Sequence, residues 1–377
     1  MIYVFLSYLF YPLIQLFIKL VKKDKTIKKI LVIQAAKIGD FICSTHLFRE
    51  IKKAYPKAHL TVMINPMVKE LAELNPYIDE VIPISSEDYK GFFGKLKLAK
   101  LIREGRYNIG IALNPNIPFA IGLLWGLVPI RLSVMPNFYG LTFRLASKFF
   151  TYLEPHVSGR LVVETYLKLL KSIGIKSNNL GKEIYKSLDA DKKVLKFLGE
   201  LNKPLIGIAV SSGNKLKEIE TEKIAEIINK ILEDIDGYII LIGSLQDKPK
   251  AEEILNLVTH KTRTIDSTGK FSLSELPALL ERLLVFIGVD TGITYMADAL
   301  KVPIVYIPGP TDTHDQCPIE SRIISLSYKL SCMPCNYVFK TVKTCKNNTR
   351  NCIKLIKSEK IVSAVKELVK NNRKNKI

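Results

Sequence analysis

Acidic residues are scarce in this chain. Over 377 residues, 36 Asp and Glu stand against 56 Lys and Arg, which leaves a formal charge of +20 at neutral pH. Such an imbalance calls for a polyanionic partner, whether nucleic acid, an anionic membrane face or phosphorylated substrates, or else reflects a lysine-rich composition throughout. The further marks of nucleic-acid recognition are missing. The positive charge is scattered, and neither an aromatic RNA-binding signature nor a helix-turn-helix pattern accompanies it. Nucleic acid is therefore not expected as a partner. Glycine-rich phosphate motifs are absent too: no G-x-G-x-x-G follows a strand and no Walker loop occurs, so an NAD enzyme or a P-loop NTPase has no support. Cysteine is sparse, at six residues, and does not read as an extracellular disulfide framework. Apolar residues are not lacking. At 47% they supply two proper cores, and the length suits two domains of ordinary size.

Charge of either sign is missing from Met1 to Ile18, a run that carries six aromatic residues. A secretory signal places cations before its apolar stretch and small residues at its end. Here Lys19, Lys22, Lys23 and Lys25 follow the stretch instead, and no A-x-A-like site is seen. Eighteen residues lie at the lower edge for crossing a bilayer, and Pro12 is expected to interrupt the helix. Residues 1–26 are thus expected to be membrane-associated, as a minimal signal-anchor or as a helix lying in the interface. The lysines place the remainder at the cytoplasmic face of the inner membrane. Near the other end, Cys332, Cys335, Cys345 and Cys352 follow the spacing C-x2-C-x9-C-x6-C. Four-thiolate zinc sites have related spacings, although the second pair here is not C-x2-C. Structural zinc, disulfides and merely neighbouring thiols all remain open.

Between these ends, short β-branched runs alternate with helical patterns. Strands are expected at Ile30–Ile33, Leu60–Ile64, Val81–Ile84 and Ile109–Leu113, with helices around Leu47–Tyr55, Val68–Leu74, Phe92–Ile102 and Leu161–Ile173. The second half repeats the rhythm, with strands at Leu205–Val210, Tyr238–Ile242, Val285–Gly288 and Val302–Ile307. Helices are expected at Thr221–Leu232, Lys250–Val258, Leu273–Leu284 and Ser358–Val369, the third opened by a Ser272/Glu275 capping box. This is βαβ alternation, hence an α/β protein with two mostly parallel sheets. The domains are expected at 27–190 and 191–356, with 357–377 forming a helix and basic tail that packs back on the first domain.

In open α/β sheets ligands bind beyond the carboxyl ends of the strands. Those ends read Ser211-Ser212-Gly213, Gly243-Ser244, Asp266 to Gly269, Asp290-Thr291-Gly292 and Gly309-Pro310-Thr311-Asp312. Small and hydroxylated residues there suit a phosphate or nucleotide, most of all where Asp290-Thr291-Gly292 opens a helix whose N-terminus presents free N–H groups. Lys215 and Lys217 supply cations nearby. In the first half, the strand Ile30–Ile33 runs into Gly39-Asp40 and a helix. Asp40 reads either as a cap or as a carboxylate aimed at an acceptor hydroxyl, as a general base would be.

These pieces resemble glycosyltransferase family 9, the ADP-heptose heptosyltransferases of lipopolysaccharide assembly. The resemblance lies in ILVIQAAKIGDFICSTHLFREIKKAYPKAHLTVMI and FIGVDTGITYMADALKVPIVYIPGPTD, and it is thin from Ser85 to Asn202. It implies a GT-B fold, two Rossmann-like domains facing a cleft, with the acceptor served by the first and the nucleotide-sugar donor by the second. It also implies inversion at the anomeric carbon and no obligatory metal. By position, Asp40 is the implied general base beside Gly39. Thr291 and Gly292 are implied to bind the donor diphosphate, Asp290 to shape that turn, Lys217 to face phosphate, and Ser212 and Gly213 to form the loop before it. The implied donor is ADP-heptose and the acceptor a lipid-linked glycan. Three positions depart from the pattern: Tyr295 stands where His is frequent, His46 where Pro is frequent, and Ile219-Glu220 where Trp-Pro is usual. They leave the chemistry in place but loosen the choice of sugar, so a different nucleotide sugar is one alternative; a non-catalytic nucleotide-binding protein tethered to a membrane is another, from a different class.

Overall fold

A computed structural model describes residues 2–21 and 26–374. Lys22, Lys23 and Lys25, on which part of the membrane expectation rests, lie outside the described residues. The chain divides into two compact units, Met1–Leu180 and Gly181–Ile377. The division falls inside the polar stretch 176–191 but earlier than residue 190, because the residues after Gly181 are tied to the second unit. Lys182 is ion-paired to Asp298 at 3.0 Å and Glu320 at 2.7 Å, and the Ser187 N–H donates to the Ser274 carbonyl at 2.9 Å.

The first unit holds six parallel strands: β1 (Lys29–Gln34), β2 (His59–Ile64), β3 (Glu80–Pro83), β4 (Ile109–Ala112), β5 (Ile130–Met135) and β6 (Tyr152–Pro155). Their order is β3-β2-β1-β4-β5-β6. The second unit repeats it with β7 (Leu205–Ala209), β8 (Tyr238–Ile242), β9 (Thr264–Asp266), β10 (Val285–Val289), β11 (Ile304–Ile307) and β12 (Ile323–Ser325), in the order β12-β11-β10-β7-β8-β9. This is the doubly wound Rossmann order twice over. Each sheet reverses direction of growth at one place, between β1 and β4 and between β7 and β10, and a crevice opens there at the strands' carboxyl ends. The central strands β1 and β7 are buried on both faces, which explains their unbroken apolar runs.

The structure supplies β5, β6 and β12, and the helices Ile117–Trp125 and Leu141–Ala146, where no element was expected, and it gives bounds to β9, of which only the end at Asp266 was read. It shortens the expected helix Leu273–Leu284 to Leu276–Leu280. Proline is best accommodated in a helix's first turn, where its missing N–H costs no hydrogen bond, so Pro277 marks the late start. Glu275 still accepts the Ser272 N–H at 2.9 Å, but the Ser272 hydroxyl pairs with Ser274 Oγ instead of closing a capping box. The apolar side of helix Ser358–Lys374, formed by Ile361, Val365 and Leu368, is filled by the second unit's own helix Thr221–Asp234 and strands β10 and β11.

The N-terminal helix runs unbroken from Ile2 to Val21 through Pro12. It lies along the first unit. Val4, Ser7 and Ile18 are buried against it, Tyr3 stacks on Phe92, and Tyr8 packs on Phe149 while its hydroxyl donates to the Leu145 carbonyl at 2.8 Å. Its opposite side, Ile2, Phe5, Leu9, Leu13, Leu16 and Leu20, is uncovered, with Phe5 71% and Leu13 63% exposed.

Candidate functional site

In the second unit, β7 runs into Val210 and the turn Ser211 to Asn214, and β10 runs into Asp290. These two strands pair directly, so their ends form the switch-point crevice. Asp290 is the centre of what gathers there. It is 8% exposed, and its Oδ2 accepts from the Lys217 ammonium and from Thr311 Oγ1 at 2.7 Å. Its Oδ1 accepts the Tyr295 hydroxyl at 2.5 Å, with the Tyr306 hydroxyl at 3.4 Å. The loops after β7, β10 and β11 are therefore joined through one carboxylate. Burial, with the Asp290 carboxylate second, pushes the Tyr306 phenol well above its ordinary value, so it is a neutral donor. Tyr295 and Tyr306 are both buried.

The helix Gly292–Ala299 begins beside this cluster. Its N-cap is Thr291, in extended conformation and with no side-chain capping bond, so the Thr291 hydroxyl is not consumed by the helix. The N–H groups of the first turn, Gly292 and Ile293, have no intrahelical acceptors by construction. An anion placed there meets those N–H groups, the positive end of the helix dipole and the Lys217 ammonium together. Asp290 does not cap this helix; it anchors the lysine.

Ser212 and Gly213 stand at the end of β7, as expected, but the Ser212 N–H donates to Glu218 Oε1 at 3.3 Å. Glu218 also meets Lys250 at 3.3 Å and Lys215 at 3.5 Å, so a buried carboxylate that the sequence did not flag fixes this loop's shape. Other strand-end residues serve the fold. A Cβ at Gly243 would come within 2.7 Å of Val210 Cγ2, so this glycine reflects tight packing between β7 and β8. Thr268 turns inward to Asp266 Oδ1 at 2.6 Å.

In the first unit, β1 ends at Gln34 and the chain enters helix Ile38–Ile42, which contains Gly39 and Asp40. Asp40 Oδ2 accepts the Lys37 N–H at 3.2 Å, the capping arrangement that the sequence allowed. Its backbone carbonyl accepts from Gln34 Nε2 at 3.2 Å. The side chain is partly exposed, at the β1/β4 switch point. Tyr166 lies behind it, fully buried; burial first, and the Asp40 charge second, raise its pKa. Asn114, two residues past β4, has a buried Oδ1 without a hydrogen-bond partner, a feature that its sequence neighbourhood gave no reason to single out. His46, one of the three departures, is buried with Nε2 3.0 Å from the Val163 carbonyl and serves packing.

Among the described residues, no group of three or more His, Cys, Asp or Glu stands in ready coordinating geometry.

Comparison with known proteins gives this geometry a context. The model of glycosyltransferase family 9 (heptosyltransferase) matches residues 95–346, more than half of the chain. That span contains Ser212, Lys217, Asp290 and Thr291 and begins after Asp40. The lipopolysaccharide heptosyltransferase 3 of Escherichia coli K12 is 26% identical over 281 residues, covering 73% of this chain and 80% of that protein. The family 9 glycosyl transferase of Veillonella parvula DSM 2008 superposes with a TM-score of 0.76 at 23% identity, over 91% of this chain and 98% of that one. The E. coli ADP-heptose lipopolysaccharide heptosyltransferase II superposes with a TM-score of 0.72 at 19% identity, over 92% and 99%. The fold is the GT-B type, built from two Rossmann-like units.

Proposed function

We propose, from the premise that this chain belongs to glycosyltransferase family 9, that it moves heptose from ADP-heptose to a lipopolysaccharide-core acceptor with inversion at the sugar's anomeric carbon. The observation that carries the donor assignment is the buried Lys217–Asp290 pair beside an uncapped helix start. Asp290 holds the lysine in place, and Thr291, Gly292 and Lys217 receive the diphosphate, with Ser212 and Gly213 lining the adjacent loop. Charge accumulates on the leaving diphosphate as the glycosidic bond to it breaks. Fixed N–H dipoles and a cation stabilise that charge better than mobile water does. In the first unit, Asp40 accepts the acceptor hydroxyl's proton as that oxygen attacks. No step needs a metal.

The test is a donor screen for nucleoside diphosphate release in the presence of extracted lipid acceptor. ADP-heptose is expected to give acceptor-dependent ADP release and a product heavier by one heptose. Release with a hexose donor only would reassign the sugar, and binding of nucleotide without release from any donor would make the chain a non-catalytic binder.

The lipid acceptor gives a use to the N-terminal helix. We propose that it lies in the interface of an anionic membrane, at the cytoplasmic face of the inner membrane, and does not cross it. Its length and composition suffice for crossing, but one side is already engaged by the protein through Tyr3, Tyr8 and Tyr11. The other side is a continuous apolar stripe, free of acidic residues and followed by Lys19, which suits a helix half sunk at headgroup depth. Burying each leucine of the stripe is worth about 1.5–3 kcal/mol. Replacing Leu9, Leu13 and Leu16 together by Ser is expected to release the protein from phosphatidylglycerol vesicles in sedimentation; undiminished binding would refute the docking face.

A further inference from the structure

The uncovered side of the N-terminal helix borders a groove. It has a volume of about 530 Å³ and lies wholly within the first unit, a size that suits one small ligand. One wall is the N-terminal helix itself, through Leu6, Phe10 and Phe17, which recur at the spacing of a helical face. The other wall is helix Gly91–Gly105, through Phe92, Leu96 and Arg103. These two helices run side by side in the same direction. Near their starts Tyr3 stacks on Phe92, with ring centroids 5.8 Å apart. Near their ends the Arg103 guanidinium lies 5.9 Å from the Phe17 ring centroid.

Trp125, the last residue of helix Ile117–Trp125 and the chain's only tryptophan, forms the floor. It meets Phe92 edge-on, with centroids 6.3 Å apart. Floor and second wall are locked together by glycine. A Cβ at Gly122 would come within 3.0 Å of Leu98 Cδ2, and one at Gly126 within 2.5 Å of Ile102 Cγ2. Packing that close fixes the groove's shape before any ligand arrives.

The two ends of the groove differ. The Tyr3–Phe92 stack closes one. At the other, Arg103 is the one charged side chain among the described lining residues, and Lys19 follows two positions after Phe17. Among the described residues no carboxylate pairs with Arg103, since its neighbour Glu104 turns to Lys100 at 3.9 Å. A guanidinium free of a carboxylate is suited to a phosphate, which it meets with two parallel N–H donors. The dimensions also discriminate. Leu6 and Phe17 stand eleven positions apart, as do Phe92 and Arg103, which is ~17 Å along a helix at ~1.5 Å per residue. One leaflet's share of a bilayer's hydrocarbon core, the depth that a lipid's acyl chain spans, is ~15 Å. Spread over ~17 Å, the volume makes a channel about 6 Å wide, narrower than the ~10–12 Å of an α-helix. An alkyl chain fits inside it and a helix does not.

We infer that this groove holds one acyl chain of an anionic phospholipid, with the headgroup phosphate on the Arg103 guanidinium. The inference rests on the membrane placement of the N-terminal helix proposed above and makes it specific. Leu13, 63% exposed, belongs both to the groove and to the membrane-facing stripe, so the groove opens toward lipid. Phe93, 83% exposed, carries the apolar face on to helix Gly91–Gly105. A lipid seated here touches both helices and ties the N-terminal helix to the body of the first unit.

Trp125 supplies the readout. Bromine on an acyl chain quenches an indole on contact, so phosphatidylglycerol brominated on its chains is titrated into the full chain. The lipid is used in a short-chain form below its micelle concentration, with no vesicle present. Saturable quenching of Trp125 is expected. Arg103→Gln should weaken it by at least about tenfold, the worth of a hydrogen bond to a charged group. Leu96→Asp, which puts a carboxylate on the wall at a 41% exposed position, should abolish it. Leu9→Ser, on the stripe but outside the groove, should leave it unchanged. Absent quenching, or equal quenching in wild type, Arg103→Gln and Leu96→Asp, overturns the site. Vesicle sedimentation of the same proteins keeps the two readings apart. Sedimentation without quenching sinks the groove and leaves the docking face, whereas quenching without sedimentation sinks the docking face and leaves the groove. A dimer in analytical ultracentrifugation that Leu96→Asp dissociates would give the groove to a second copy of the chain and overturn the lipid assignment.

Discussion

Asp40→Asn is expected to lower kcat by about 10²–10⁴-fold, the usual worth of a positioned general base, while leaving donor affinity near the wild-type value. Asparagine is nearly the same shape and its amide oxygen can still accept the Lys37 N–H that Asp40 Oδ2 accepts at 3.2 Å. The start of helix Ile38–Ile42 therefore survives, and a loss of activity reports on the carboxylate's charge and basicity alone. An interaction made only in the transition state shows in kcat and kcat/KM together, not in donor binding. Wild-type turnover in this variant would remove Asp40 from the mechanism and leave it the capping role that the structure displays.

The second large effect is expected at Asp290. Asp290→Ala strands the Lys217 ammonium, 11% exposed, without its carboxylate, and removes the oxygens that the hydroxyls of Tyr295 and Thr311 reach. Breaking a buried ion pair from one side costs about 3–5 kcal/mol, because an uncompensated charge remains. The second unit is therefore expected to lose several degrees or more in thermal unfolding, and donor binding should fall with it as the lysine swings to solvent. Asp290→Asn is the instructive companion. It keeps an acceptor for Tyr295 but not the charge, so the fold should recover more than donor binding does. Calorimetric unfolding of both variants, with ADP titrated into each, separates the two effects; equal ADP affinity in wild type and Asp290→Ala would show that this carboxylate does not organise the site.

The fold was largely legible because a doubly wound protein announces itself through apolar strands followed by small residues. What escaped has identifiable causes. Strand β5 carries Arg131, which is 1% exposed and interrupts the apolar run. Its guanidinium is satisfied locally, donating to the carbonyls of Val128 and Phe149 at 2.6 Å each, and no sequence pattern announces such a partner. Strands β9 and β12 are three residues long and sit at sheet edges, too short for periodicity to register. At the site, Asp290 and Thr291 were singled out from strand-end composition and Lys217 over Lys215 from the family resemblance, but their connection to one another was not read. A lysine 73 positions from its carboxylate is joined to it only by the pairing of β7 with β10. Tyr306 was missed because it reads as one more bulky residue of a buried strand, although a fully buried tyrosine needs a partner for its hydroxyl and so signals a polar neighbour. Glu218, beside the departure at Ile219-Glu220, was likewise invisible as the residue that closes on the Ser212 amide.

The pairing of a helix start with an anchored lysine is the feature on which the functional account depends. Titration calorimetry of ADP into the full-length chain and its Lys217→Ala variant tests it most directly. The account predicts saturable binding to the wild type and an affinity at least about tenfold weaker in the variant, the loss of one charge-assisted contact of roughly 1.5–3 kcal/mol. Identical ADP affinities in the two proteins would contradict it.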